Sequence, residues 1–156
     1  MLRTVDVALS QIGVKELSGK NDGVPADRYM HGDKLPWCAG FVLWCNAQSD
    51  DVKLYTSNAE YFVMRAVADM ERIMRARGWW RPFDPRVLPK ENEVIFFANR
   101  GGSDAGPGRH VGVVASVFPD RIVTVEGNLG DSVGTASYRL ADLAARVTGY
   151  GTFGPA

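Results

Sequence analysis

A change of hydrophobic period at Gly78 divides this chain in two. Before it, apolar residues recur at helical spacing; after it they come in short continuous runs that read as strands. Thr4 to Ile12 places Val5, Ala8, Leu9 and Ile12 on one helical face and stops at Gly13. A polar loop from Lys15 to Lys34 follows, broken by Gly19, Asn21, Asp22, Gly23 and Pro25, with a short turn around Ala26 to Met30. An amphipathic helix is expected from Cys38 to about Gln48. Ser57 and Glu60 have the spacing of a capping box and open one helix through Tyr61, Phe62, Met64, Val67, Ala68, Met70 and Met74, stopped by Gly78. Beyond Gly78, Val94 to Phe97, His110 to Val117 and Arg121 to Glu126 read as strands, the last two joined by a Pro119-Asp120 turn. Asn99 to Gly108 is a glycine-rich surface loop, and Tyr138 to Phe153 supplies a short helix and a closing strand. Helices first and an antiparallel sheet second is the α+β order. No repeat or linker divides residues 1–156, so one domain is expected.

The chain has 156 residues, 46% of them hydrophobic, with 18 basic and 18 acidic side chains. That is enough for a core without disulfides, and the balanced charge argues against a nucleic-acid partner. The two cysteines sit seven positions apart in one expected helix, about 10 Å along its axis. A disulfide cannot span that separation, so both are free thiols. The first residues, Met1-Leu2-Arg3-Thr4-Val5-Asp6, have no apolar core of a signal peptide, and no apolar run is long enough to span a bilayer. Synthesis in the cytoplasm, without membrane insertion, is the expectation.

The chemistry-bearing stretch is Pro36-Trp37-Cys38-Ala39-Gly40-Phe41-Val42-Leu43-Trp44-Cys45. A thiol at a helix start faces unsatisfied backbone N–H groups and the positive end of the helix dipole, which favour the nucleophilic thiolate. A base must accompany it. His31 lies in the polar loop, where a solvated imidazole is the default. His110 begins a strand, a rigid mounting for a general base. Glu126 ends the next strand, so the hairpin through Pro119-Asp120 makes His110 and Glu126 neighbours.

These residues, in this order, resemble the CHAP family, the cysteine, histidine-dependent amidohydrolases and peptidases of bacterial cell-wall turnover and phage lysis. The resemblance runs from Ile12-Gly13 through the Cys38 block, Glu93-Val94-Ile95-Phe96-Phe97 and Arg109-His110-Val111-Gly112-Val113-Val114 to Val125-Glu126-Gly127-Asn128. It implies a papain-like α+β fold that cleaves an amide of peptidoglycan, as an N-acetylmuramoyl-alanine amidase or a stem or cross-bridge endopeptidase. Cys38 would be the nucleophile, His110 the acid and base, Glu126 the group orienting the imidazolium, and Asn128 the family's polar residue near the ring. The Cys38 backbone N–H would help bind the oxyanion. Many family members carry glutamine before the cysteine; here that place is Trp37, and a second oxyanion donor is unassigned. Some relatives bind calcium in an acidic loop upstream of the cysteine. Asp22, Asp27 and Asp33 are present here, but the tight alternation of oxygen ligands is not, so no cofactor is expected. The resemblance also implies action on the wall after delivery by a phage lysis system, a virion or a secretion machine, the last with an immunity protein as partner.

Other readings compete. An NlpC-type peptidase usually places a histidine third, and none follows His110. A non-catalytic wall-binding or virion structural domain would keep the scaffold without turnover. A metal hydrolase would draw on His31, His110 and nearby carboxylates. Cys45 reads as a core thiol, and Trp37 and Trp44 as packing. The Trp79-Trp80 pair is packing or, as a lesser reading, a sugar-stacking platform. Arg72, Arg75, Arg77 and Arg81 read as a solvated face.

Overall fold

The computed structural model describes residues 1–98 and 109–156. The glycine-rich stretch from Asn99 to Gly108 lies outside the described residues. Five helices, α1 Thr4–Ser10, α2 Val24–Tyr29, α3 Cys38–Gln48, α4 Asn58–Met64 and α5 Val67–Ala76, precede a six-stranded sheet. The strands are β1 Trp80–Pro82, β2 Val94–Phe97, β3 His110–Val117, β4 Arg121–Leu129, β5 Ser132–Arg139 and β6 Val147–Gly151, with a 3-10 turn at Leu140–Ala145. Their spatial order is β1-β6-β2-β3-β4-β5, and every pairing is antiparallel. The α+β architecture expected from the sequence is present.

The sheet separates two apolar clusters. Val94, Phe96, Val111, Val113 and Val125 pack with the helices. Ile95, Phe97, Val114 and Ile122 face the other way, with Leu143, Val147 and Tyr150. This is the period-two alternation of strands buried on both faces.

Helix α3 is the centre of the helical layer. It is not the amphipathic helix that the sequence reading expected: Cys38 to Leu43, Cys45 and Asn46 are all buried, so the helix is enclosed on nearly every side. Its polar end is enclosed too. The Asn46 side chain accepts from the Leu54 N–H at 2.7 Å and donates to the Val52 carbonyl at 3.0 Å, clamping the chain that leaves the helix. Two glycines let α3 sit where it does. A Cβ on Gly127 would lie 2.6 Å from Phe41 Cβ, and one on Gly40 would lie 2.6 Å from the Tyr29 carbonyl oxygen. The two cysteines are not joined in a disulfide.

Five further expectations need correction. α1 ends at Ser10 rather than Ile12. The single helix opened by Ser57 is two, broken at Arg65-Ala66, where the Arg65 guanidinium is held by the Met30 carbonyl and by Asp33. β4 runs on to Leu129, and β5, unanticipated, pairs with it. The Ser57 hydroxyl does cap α4 by accepting from Glu60 N–H at 3.2 Å, while the Glu60 carboxylate returns to Thr56 N–H. Trp80 is no sugar platform: it lies in β1, Arg75 stacks on its ring at 3.8 Å, and Gly149 is cleared for it. The arginine cluster is likewise engaged rather than simply solvated, with Arg77 over Trp79 and Arg81 over Tyr150.

Overpacking at the α3–β4 contact tests this arrangement. Gly127→Val is expected to lower unfolding stability by about 1–3 kcal/mol in chemical denaturation, because Phe41 cannot retreat into a filled core.

Candidate active site

Cys38 is the first residue of α3. Trp37, in the N-cap place, supplies no side-chain cap, and its carbonyl already accepts the Phe41 N–H at 2.9 Å. The first N–H groups of the helix are therefore left without a capping side chain, the environment that stabilises negative charge on or near the sulfur. Trp37 itself is fully buried, stacks on Tyr29, and donates its indole N–H to Glu16 Oε1 at 2.8 Å. It is occupied and cannot serve as the missing oxyanion donor.

The β3–β4 hairpin brings His110 and Glu126 together. Val113 pairs with Val125 and Val114 with Thr124, which sets the start of β3 beside the far half of β4. His110 Nε2 and Glu126 Oε1 are 2.5 Å apart. The imidazole also has the Cys38 side chain as a hydrogen-bonding and charge partner, and with Nε2 occupied, Nδ1 is the nitrogen left to meet the sulfur. Burial pushes the His110 pKa down, but the hydrogen bonds and charges of Cys38 and Glu126 outweigh it and raise it to about 9.

Glu126 is not a solvated strand end; none of it is exposed. Burial alone would push its pKa up, yet donors from His110, Thr124 and Tyr138 hold it below the ordinary carboxylate range. Thr124 Oγ1 donates at 2.5 Å and the Tyr138 hydroxyl at 2.7 Å, both to Oε2. Neither residue was found from the sequence. Thr124 shares a strand face with Glu126 two positions on, a signal already present in the alternation. Tyr138 carried none, because β5 was not recognised. Gly112 makes room: a Cβ there would stand 2.7 Å from Glu126 Cγ.

The remaining sequence candidates fall elsewhere. Asn128 has a left-handed backbone (φ 58°) in the irregular stretch between Glu126 and Leu129. Among the described residues its side chain makes no hydrogen bond to the imidazole, and its evident contribution is to the β4–β5 turn. His31 is exposed and stacks flat on Tyr61 with ring centroids 3.9 Å apart. Asp22 accepts from Leu17, Ser18 N–H and the Ser18 hydroxyl, and Asp33 pairs with Arg65. No group of three or more His, Cys, Asp or Glu among the described residues is placed to hold a metal ion.

Cys38 is 2% exposed, but it lines a groove of about 430 Å³ whose walls include Met30, Leu35, Pro36 and Phe62. A buried thiol paired with an imidazolium that keeps its proton to high pH, at the side of an apolar groove, can attack a carbonyl and protonate a leaving amine. The protonation is measurable directly. In an NMR titration His110 is expected to lose its proton near pH 9. Glu126→Gln removes the charge that favours imidazolium, so the midpoint should move down by about one unit or more; an unmoved midpoint would contradict this account.

Two solved structures of Ly7917 resemble this chain: "The crystal structure of Ly7917" at 18% identity and TM-score 0.57, and that protein "with the hydrolyzing product of MDP" at 17% and 0.54. The matches cover 97% and 96% of this chain but 61% of each of those, so it spans about three-fifths of their length. They establish the shared fold. No curated protein matches the chain. The family model for the CHAP domain matches residues 30–128, which takes in Cys38, His110, Glu126 and Asn128 and most of the chain between its first helices and β5. The chain belongs to the CHAP family.

Proposed function

We propose that this chain hydrolyses an amide bond of peptidoglycan through a Cys38 thiolate and a His110 imidazolium. The observation that carries the proposal is the continuous contact from Cys38 through His110 to the buried Glu126. CHAP membership and the Ly7917 structure with a hydrolysed MDP product support peptidoglycan as the substrate.

Sulfur attacks the carbonyl carbon, and the electron pair of the C=O bond moves to oxygen. The uncapped N–H groups at the start of α3, that of Cys38 first, stabilise the resulting oxyanion. His110 Nδ1 gives its proton to the amide nitrogen as the C–N bond breaks, releasing the amine and leaving a thioester on Cys38. Water then attacks the thioester while neutral His110 takes the water's proton, and the carboxylic acid leaves as the thiolate–imidazolium pair re-forms. Throughout, Glu126 holds Nε2, fixing the ring's orientation and favouring its charged form. The apolar groove beside Cys38 keeps water away until the amine has gone. Delivery to the wall by a phage lysis system, a virion or a secretion machine belongs to the same proposal, and an immunity protein would be the partner in the last case.

On labelled peptidoglycan, Cys38→Ala is expected to lower release by about a thousandfold or more, and Glu126→Gln by roughly ten- to a hundredfold. Binding without turnover by the unaltered protein would instead favour a wall-binding module. Mass spectrometry of the products separates the amidase from the endopeptidase: freed muramic acid carboxyls mark the first, cut stem or bridge peptides the second. The sign of the pH dependence follows from the proton on His110. Because imidazolium persists to about pH 9, kcat should hold through neutrality and fall as pH rises through that value. In Glu126→Gln the fall should begin at lower pH.

A further inference from the structure

We propose that Arg109 and Arg75 form a carboxylate-binding subsite beside Cys38, so that the chain prefers stem peptides with a free carboxylate near the scissile amide. The inference rests on the hydrolase reading above and names the substrate class of the same groove.

The groove that Cys38 lines continues into a second cavity of about 320 Å³, with Ala68 and Arg109 bordering both. The second cavity is otherwise lined by Glu71, Arg72 and Arg75. Among the described residues the charges around the two cavities do not cancel. Arg65 is matched by Asp33 at 2.6 Å and Arg72 by Asp69 at 3.1 Å. Arg109 and Arg75, in contrast, share one oxygen of one carboxylate: Glu71 Oε1 accepts from the first at 2.7 Å and from the second at 3.2 Å. Glu71 Oε2 accepts from the Thr148 hydroxyl at 2.6 Å. Two guanidinium groups thus meet a single negative charge, which is itself buried at 2% exposure. Among the described residues one positive charge is in surplus, and it faces the cavity from side chains that are 42% and 50% exposed.

The pair is also held in place. Arg75 lies over the Trp80 ring at 3.8 Å, and the buried Glu71 fixes one nitrogen of each guanidinium. Among the described residues only Nη1 of Arg109 and Nη2 of Arg75 have hydrogen-bond acceptors, so each fork retains donors for a further planar anion. Arg109 directly precedes His110, which sets the surplus charge one residue from the proposed base. An apolar groove with a cationic end fits a short peptide segment ending in, or branching to, a carboxylate. It does not fit the same segment once that carboxylate is amidated.

The test titrates full-length Cys38→Ala protein with two synthetic stem peptides that differ only in whether the glutamate α-carboxyl is free or amidated. Their turnover by the unaltered protein is followed in parallel. The free carboxylate is expected to bind about tenfold tighter or more, with the advantage shrinking as salt is raised. Adding Arg109→Gln, or separately Arg75→Gln, should compress the ratio to within about twofold, while Arg86→Gln, at an exposed arginine that lines neither cavity, should not. Circular dichroism checks that each variant is folded, and two independent arginines keep the test alive if one is not. Equal binding of the two peptides, or a ratio untouched by both groove variants, overturns the subsite. A binding preference that persists while the unaltered protein cuts neither peptide supports the subsite and removes the hydrolase reading instead.

Discussion

A carboxylate withdrawn completely from water must be met by donors or give up its charge. Glu126 is met by three: the His110 imidazole on one oxygen, and the Thr124 and Tyr138 hydroxyls on the other. The two hydroxyls anchor the carboxylate whatever the state of the ring, so His110 always finds a fixed, oriented anion. That anion, with the sulfur opposite, keeps the imidazole protonated far above the pH at which a buried histidine would otherwise lose its proton. The ring in turn gives the thiol a cationic neighbour. The ionisation of the site thus depends on a contact made on the sheet as well as on the helix that carries the sulfur.

The backbone has to permit that contact. Gly112 leaves the space across which Glu126 reaches, and Gly127 lets Phe41 of α3 lie directly against β4. One glycine serves each face of the sheet at adjoining points of the same hairpin. The first positions the carboxylate; the second sets how near the helix, and with it Cys38, approaches. The enclosure of α3 on nearly all sides then removes its freedom to roll or slide.

What could be read beforehand was local or periodic. A cysteine after Pro-Trp at a helix start, and a histidine and glutamate at facing positions of one hairpin, follow from spacing and a single turn. Thr124 follows from the same alternation and was overlooked. Tyr138 was out of reach because Ser132–Arg139 carries too few apolar residues to read as a strand; it forms one because β4 offers an edge and the Asn128–Asp131 backbone turns tightly enough to reach it. The break between α4 and α5 has no glycine or proline to announce it. It arises from tertiary structure, where Arg65 is drawn to the Met30 carbonyl and Asp33. Arg75 of α5 read as part of a solvated face because its aromatic partner, Trp80, comes from β1, a strand that had not been recognised. Asn128 fits the family pattern in sequence but is placed here by its left-handed backbone.

The start of β3 shows how one strand can serve both chemistry and selection. Val111 and Val113 face the helical layer, while Val114 faces the second core. Arg109 and His110 follow one another where this strand begins. Each meets a buried carboxylate, Glu71 of α5 for the arginine and Glu126 of β4 for the histidine. Two consecutive residues are therefore locked by two independent ion pairs. A shift of the strand that loosened one would strain the other, so the position of the cationic wall and that of the imidazole are set together. Substrate seated against Arg109 would be held in fixed register with the reacting pair, which is the positioning that amide hydrolysis most needs from a protein.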